Sequence, residues 1–153
     1  MDVPKIHRVS AAAAASDGFK AALRKASGLL AFHAWVGTGD LKDEHLMVRP
    51  GSREGEYEIA SIDFASAFAW AAGGALGNMA LPPGPPALLA NRDAAAIADA
   101  VARIEAIAAE RSNAVVRALP DAVLPEVDKV RISTGLFERK EGVRSLFANA
   151  GWM

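Results

Sequence analysis

Apolar residues recur at steps of three or four through the first third of the chain: Phe19, Leu23, Ala26, Leu29, Phe32 and Val36. That is the spacing of one helix face, and Asp17 ahead of it suits an N-cap. The pattern predicts a helix over residues 17–36, ended by Gly37 and Gly39. The period then shortens to two. Leu46 to Val48 is a short apolar run, Pro50, Gly51, Ser52 and Gly55 supply turn chemistry, and Tyr57, Ile59 and Ser61 alternate with Glu56, Glu58 and Ala60. A hairpin pairing 46–49 with 56–62 is expected. Ala69 to Leu89 has no period and carries the LPPGPP run, so it reads as loop. Ile97, Val101, Ile104 and Ile107 predict a helix over 92–107, and Val115, Val116 and Leu119 predict another, stopped by Pro120. Val130, Leu136, Val143, Leu146 and Phe147 predict one or two more before Gly151. The fold class is therefore mainly α with a small central β-hairpin. A single domain is expected over 17–150, behind a tail of residues 1–16 whose Ala11–Ala15 run is a helix start or a frayed end.

Length and charge narrow the class. At 153 residues the chain suits one domain with a real core. Its 17 basic and 18 acidic residues are interspersed and leave a net charge of −1. A nucleic-acid binder would show a basic face, so no such partner is expected. With no cysteine, neither a disulfide framework nor a thiolate zinc site is possible. This composition fits a reducing compartment, and a cytoplasmic location is expected. The alanine run is too short and too weakly apolar for a signal peptide. The uncharged stretch from Phe64 to Asn91 is long enough to span a bilayer, but its glycines and prolines interrupt the hydrogen bonding a spanning helix needs. No membrane segment is expected.

The densest polar chemistry lies in GDLKDEHLMV, residues 39–48. Asp40, Lys42, Asp43, Glu44 and His45 fall within six positions, directly after an apolar helix. Asp63 follows the hairpin and is the last charge before the uncharged stretch. An acid among apolar residues needs a partner or a metal to offset desolvation. A hairpin returns the chain close to where it left, so Asp63 should lie near the end of the charged loop. The order matches what phosphoryl transfer asks of one half of an enzyme: a carboxylate that takes the hydroxyl proton, a metal-coordinating side chain shortly after it, and an acid beyond the hairpin that holds the metal. The plainer reading is a solvated loop, with His45 packing against it. His33 reads as a helix-packing histidine, and Trp35, Phe68 and Trp70 as core.

The run LLAFHAWVGTGDLKDEHLMVRPGSREGEYEIASIDFASAF, residues 29–68, resembles the HipA-like kinase family. In that family a helix leads to N-x-D, a metal-ligand Asn stands five residues after the Asp, and a hairpin precedes an Asp-bearing run. AVARIEAIAAERSNAVVRALPDAV and LFERKEGVRSLF look like the helices that close the same lobe, so the resemblance covers roughly residues 19–148. It implies a protein-kinase-like C-lobe that transfers phosphate from ATP with Mg or Mn to a hydroxyl, a protein substrate included. It implies Asp40 as catalytic base, Asp63 as a metal-binding acid and His45 in the Asn slot as a second metal ligand. Thr38 stands where the family has Asn, and Leu41 and Lys42 replace an Arg-His pair. The sixteen residues before the first helix contain no glycine and cannot form an N-lobe. A partner supplying that lobe, or self-association over the face it would cover, is expected. Two alternatives have other chemistry: a non-catalytic pseudokinase serving as an interaction module, and a metal-dependent hydrolase using Asp40, His45 and Asp63.

Overall fold

The structure, a computed structural model, describes residues 5–64, 66–72 and 78–153. It is mainly helical, with one two-stranded antiparallel hairpin. Seven α-helices occur among the described residues: α1 (Ala11–Ala15), α2 (Asp17–Ala26), α3 (Gly28–Val36), α4 (Pro86–Ala90), α5 (Ala94–Glu105), α6 (Ala109–Arg117) and α7 (Glu126–Asn149). The strands are β1 (Leu46–Pro50) and β2 (Tyr57–Ser61), within a residue or two of the expected pairing. Their register sets Leu46 opposite Ser61 and Pro50 opposite Tyr57.

The helix expected over 17–36 is two helices, broken at Ser27. Ser16 caps α2, accepting from the Phe19 amide. Phe19, Leu23 and Ala26 are buried as their spacing requires. The buried face continues across Ser27 at helical spacing through Leu30, Ala31 and Ala34, whereas Phe32 is exposed. The turn is tied to a distant segment. The buried Ser27 hydroxyl accepts from the amide of Asp93, 66 residues later, and the Asp93 carboxylate caps α5 through the Ala96 amide. One polar side chain thus joins the turn between α2 and α3 to the start of α5.

The helix expected over 92–107 is α5, and the one or two expected after residue 125 are the single helix α7. Leu136, Val143 and Phe147 on α7 are buried, but Val130 is exposed, as are Val115 and Leu119 of the preceding segment. The loop expected over 69–89 holds a 3-10 turn at Ala69–Ala72 and the short α4; residues 73–77 lie outside the described residues. Within residues 5–16, Ile6 is buried and Lys5 forms a bridge to Met47 on β1. No helix among the described residues is long and apolar enough to cross a membrane.

Candidate functional site

The charged loop starts where α3 ends, and that end is fully bonded. The last carbonyls of a helix have no partner within it. Here the His33 carbonyl accepts from the Gly37 and Thr38 amides. The Ala34 and Trp35 carbonyls accept from Nη2 and Nε of Arg139, at 2.6 and 2.7 Å. The Val36 carbonyl accepts from the Phe68 amide and the Trp70 indole. Gly37 makes the turn at φ +73, where a side chain would be strained, and a Cβ there would lie 2.3 Å from Trp70. Arg139 projects from α7, is buried, and makes a third bond to the Asn78 carbonyl. Two segments distant in sequence, α7 and the turn around Phe68 and Trp70, therefore hold the start of the loop in place.

Leu41 is buried while its neighbours Asp40 and Lys42 are half exposed, so the loop is anchored by its apolar residue and presents its charges outward. Lys42 Nζ lies 2.9 Å from Asp40 Oδ1. The hydrogen bond to Asp40 raises the Lys42 pKa, followed by the Asp40 charge, with smaller contributions from Glu44 and Asp63. Asp40 and Asp63 thus act on one ammonium group. A 3-10 turn, Asp43–His45, leads into β1. The hairpin closes with the Ile62 amide donating to the His45 carbonyl at 2.8 Å. That bond places the next residue, Asp63, beside His45, with Nε2 to Oδ2 at 3.9 Å. Asp63 adopts a left-handed backbone at φ 61. For a residue other than glycine this costs about 1–2 kcal/mol, least for Asn and Asp. Such strain persists where the surroundings over-determine it, often at functional sites.

The structure thus brings His45 and Asp63 together and pairs Lys42 with Asp40. It does not make Asp40, His45 and Asp63 one ligand set: among the described residues, no group of three or more His, Asp or Glu could hold a metal ion. His33 packs as its position suggested. It is buried, shares a 2.8 Å hydrogen bond between Nε2 and the Ser61 hydroxyl, and stacks on Phe64 with centroids 5.1 Å apart. Burial first, then the charge of His45, lowers its pKa to about 4, so it is neutral at neutral pH. Trp35 is core, and Phe68 and Trp70 pack against the core.

Arg139 carries a part of this arrangement that the sequence reading did not include, and Thr38 and Lys42 entered it only as departures from the family pattern. Arg139 had a legible signal: it interrupts the buried series Ile132, Leu136, Val143 and Phe147 at helical spacing, where a cation is costly without partners. No protein-family model matches the chain, and neither curated proteins nor solved structures give a match.

Proposed function

We propose that residues 29–64 form the catalytic-loop side of a HipA-like phosphotransferase, and that the chain is its kinase-like C-lobe. The observation that carries this reading is the closed hairpin, which sets His45, at the end of the charged loop, 3.9 Å from a left-handed Asp63. The order and spacing of these residues agree with the resemblance, and the buried Leu41 accounts for the outward charges.

The donor set tests the fit of the metal. His45 and Asp63 offer one imidazole nitrogen and one carboxylate, and His45 Nδ1 is buried without a hydrogen-bond partner in the described structure. Magnesium prefers oxygen, whereas manganese accepts imidazole. Two protein donors cannot complete a coordination shell, so this pair fits a metal that arrives with ATP, its remaining ligands being phosphate oxygens and water. Bound there, the ion would neutralise charge on the transferred phosphoryl group.

The residues of the chain do the rest. Asp40 accepts the proton of the attacking hydroxyl at a carboxylate oxygen. In the structure Lys42 occupies one of those oxygens. Pairs this exposed contribute about 0–1 kcal/mol, so substrate can displace the ammonium at little cost. Lys42 is then free to pair with phosphate oxygens. The expected front half, a glycine-rich cover with a phosphate-binding lysine, would come from a partner or another segment.

Calorimetry on the purified chain with ATP and Mn²⁺ or Mg²⁺ is the test. Heat is expected with Mn²⁺-ATP in excess of Mg²⁺-ATP, and Asp63→Ala should abolish it. A folded protein that gives no heat with either metal would sink the reading. A second reading, a non-catalytic interaction module, draws on a different observation. Val115, Leu119, Val123, Val127, Val130 and Phe137 are all exposed along α6, α7 and the connection between them. Large apolar exposure of this kind marks binding surfaces. Self-association in sedimentation experiments, without nucleotide binding, would favour it.

A further inference from the structure

Behind the loop that carries Asp40 lies a cleft of about 220 Å³. Its polar side chains come from His33, Thr38, Asn78 and Arg139, and its apolar wall from Trp70, Leu81 and Pro82. Two polar atoms of the lining residues, Thr38 Oγ1 and His33 Nδ1, are buried with no hydrogen-bond partner in the described structure. Both residues are at least nine-tenths buried. Leaving such an atom unpaired costs about 1–3 kcal/mol, so two in one cleft require an explanation.

Arg139 adds charge. Its side chain is buried, and no carboxylate forms an ion pair with it among the described residues. Its partners are three backbone carbonyls, two of them at the C-terminal end of α3. A helix C-terminus carries roughly half a negative charge, which offsets only part of a full cation. A guanidinium has five N–H groups, and three are engaged here. The two that remain lie on Nη1 and Nη2. If His33 carries its proton on Nδ1, Nε2 accepts from the Ser61 hydroxyl and Nδ1 becomes a donor. The cleft then offers donors from Arg139, Thr38 and His33, residual positive charge, and an apolar wall opposite.

We propose that this cleft binds a small organic carboxylate, its oxygens on Arg139, the Thr38 hydroxyl and His33 Nδ1, and its short hydrocarbon part against Trp70, Leu81 and Pro82. A carboxylate accepts at several lone pairs and donates none, which matches this lining. The apolar wall separates an organic acid from a bare inorganic oxyanion, which would leave that wall uncovered. The site lies next to Asp40 through Gly39, yet it requires neither nucleotide nor metal.

The experiment titrates the full chain with butyrate, acetate and inorganic phosphate, without nucleotide or metal. It follows side-chain resonances of Arg139 and His33 and the amide of Thr38 by NMR at constant ionic strength. Butyrate should give saturable shifts at these three residues. It should bind about fifteenfold tighter than acetate, because each of its two additional methylenes contributes about fourfold when buried. Phosphate should be weaker than butyrate. Arg139 holds the end of α3, so a variant there also perturbs folding; Thr38→Val is the informative one. It removes a buried hydroxyl that has no partner, so stability without ligand should not fall, while butyrate affinity should drop about tenfold through a lost bond to a charged group. Absence of saturable shifts, phosphate binding tighter than butyrate, shifts centred on His45 and Asp63, or unchanged affinity in Thr38→Val would each overturn the proposal.

Discussion

The histidine at position 33 shows how one side chain ties the hairpin to the helix beneath it. Its Nε2 meets Ser61 at the end of β2, and its ring stacks on Phe64 just past Asp63. The folded protein resists protonating it: its pKa is about 4 against an ordinary 6.5. Above pH 6.5 neither folded nor unfolded chain holds the proton, and the stability is intact. As pH falls from 6.5 towards 4 the unfolded chain takes up a proton that the folded chain refuses, so stability declines, and below 4 this effect levels off. The size should be about 2 kcal/mol, less than the full shift would give, because solvent can relax around the site. His45 is the neighbour that opposes protonation from the loop side, and Asp63 lies beyond it. Denaturant midpoints between pH 7 and 4 should fall more steeply for the native chain than for His33→Gln, which keeps a hydrogen-bonding side chain but does not titrate. Equal slopes would contradict the assignment. Gly135 poses the opposite question, of steric fit. In an exposed helix Gly→Ala gains up to about 1 kcal/mol. On α7, a Cβ at 135 would lie 2.0 Å from the Trp70 ring. Overpacking typically costs about 1–3 kcal/mol, so the clash wins. Gly135→Ala should destabilise, and in a Trp70→Ala background the same change should become neutral or stabilising.

Among the secondary-structure elements, the hairpin and α5 were legible because their signals are local: a two-residue alternation with turn residues, and an apolar stripe at helical spacing. The break at Ser27 was not legible. Apolar residues continue at helical spacing across it, and the local hint is only the Ser27-Gly28 pair, where helices kink. The bond to Asp93 that fixes the turn lies outside any window around residue 27. Ser27→Ala should therefore cost about 1 kcal/mol, because a half-buried amide loses its acceptor. Hydrogen exchange at the Asp93 amide should report the loss directly. If Ser27→Ala leaves both stability and that amide unchanged, the connection is incidental. Loop residues followed the same division. Asp40 stood out within the densest charged run, and Asp63 as the last charge before an uncharged stretch. Their arrangement depends on the buried Leu41 and the left-handed turn at Asp63, and spacing reveals neither.

Taken as a whole, the molecule is held around Arg139. From the middle of α7 it bonds the carbonyls of Ala34 and Trp35 at the end of α3 and that of Asn78 in the segment after the 3-10 turn, and it lies over the Trp70 ring at 5.2 Å. Trp35 returns the connection by donating to the Leu136 carbonyl on α7. Burial lowers the pKa of Arg139, a sign that water no longer supports its charge. Its bonds must do so instead. Substituting lysine keeps the charge but replaces a planar fork with a single ammonium, which cannot reach three carbonyls in the same directions. At least one carbonyl loses its donor in the interior, and the ammonium is more strongly hydrated when free. Arg139→Lys should cost about 2–4 kcal/mol, more than a surface exchange of the same pair by an order of magnitude. Methionine provides the control for charge. Its chain fills much of the same space without a cation, so a smaller loss for Arg139→Met than for Arg139→Lys would show that desolvation outweighs the bonds. The contacts to three carbonyls favour the opposite order. Urea unfolding of the two variants, with unchanged dependence on denaturant, should rank lysine above methionine in stability, and both well below arginine. The reverse ranking would mean that the end of α3 is held by Trp70 and Gly37, with Arg139 a tolerated passenger in the core.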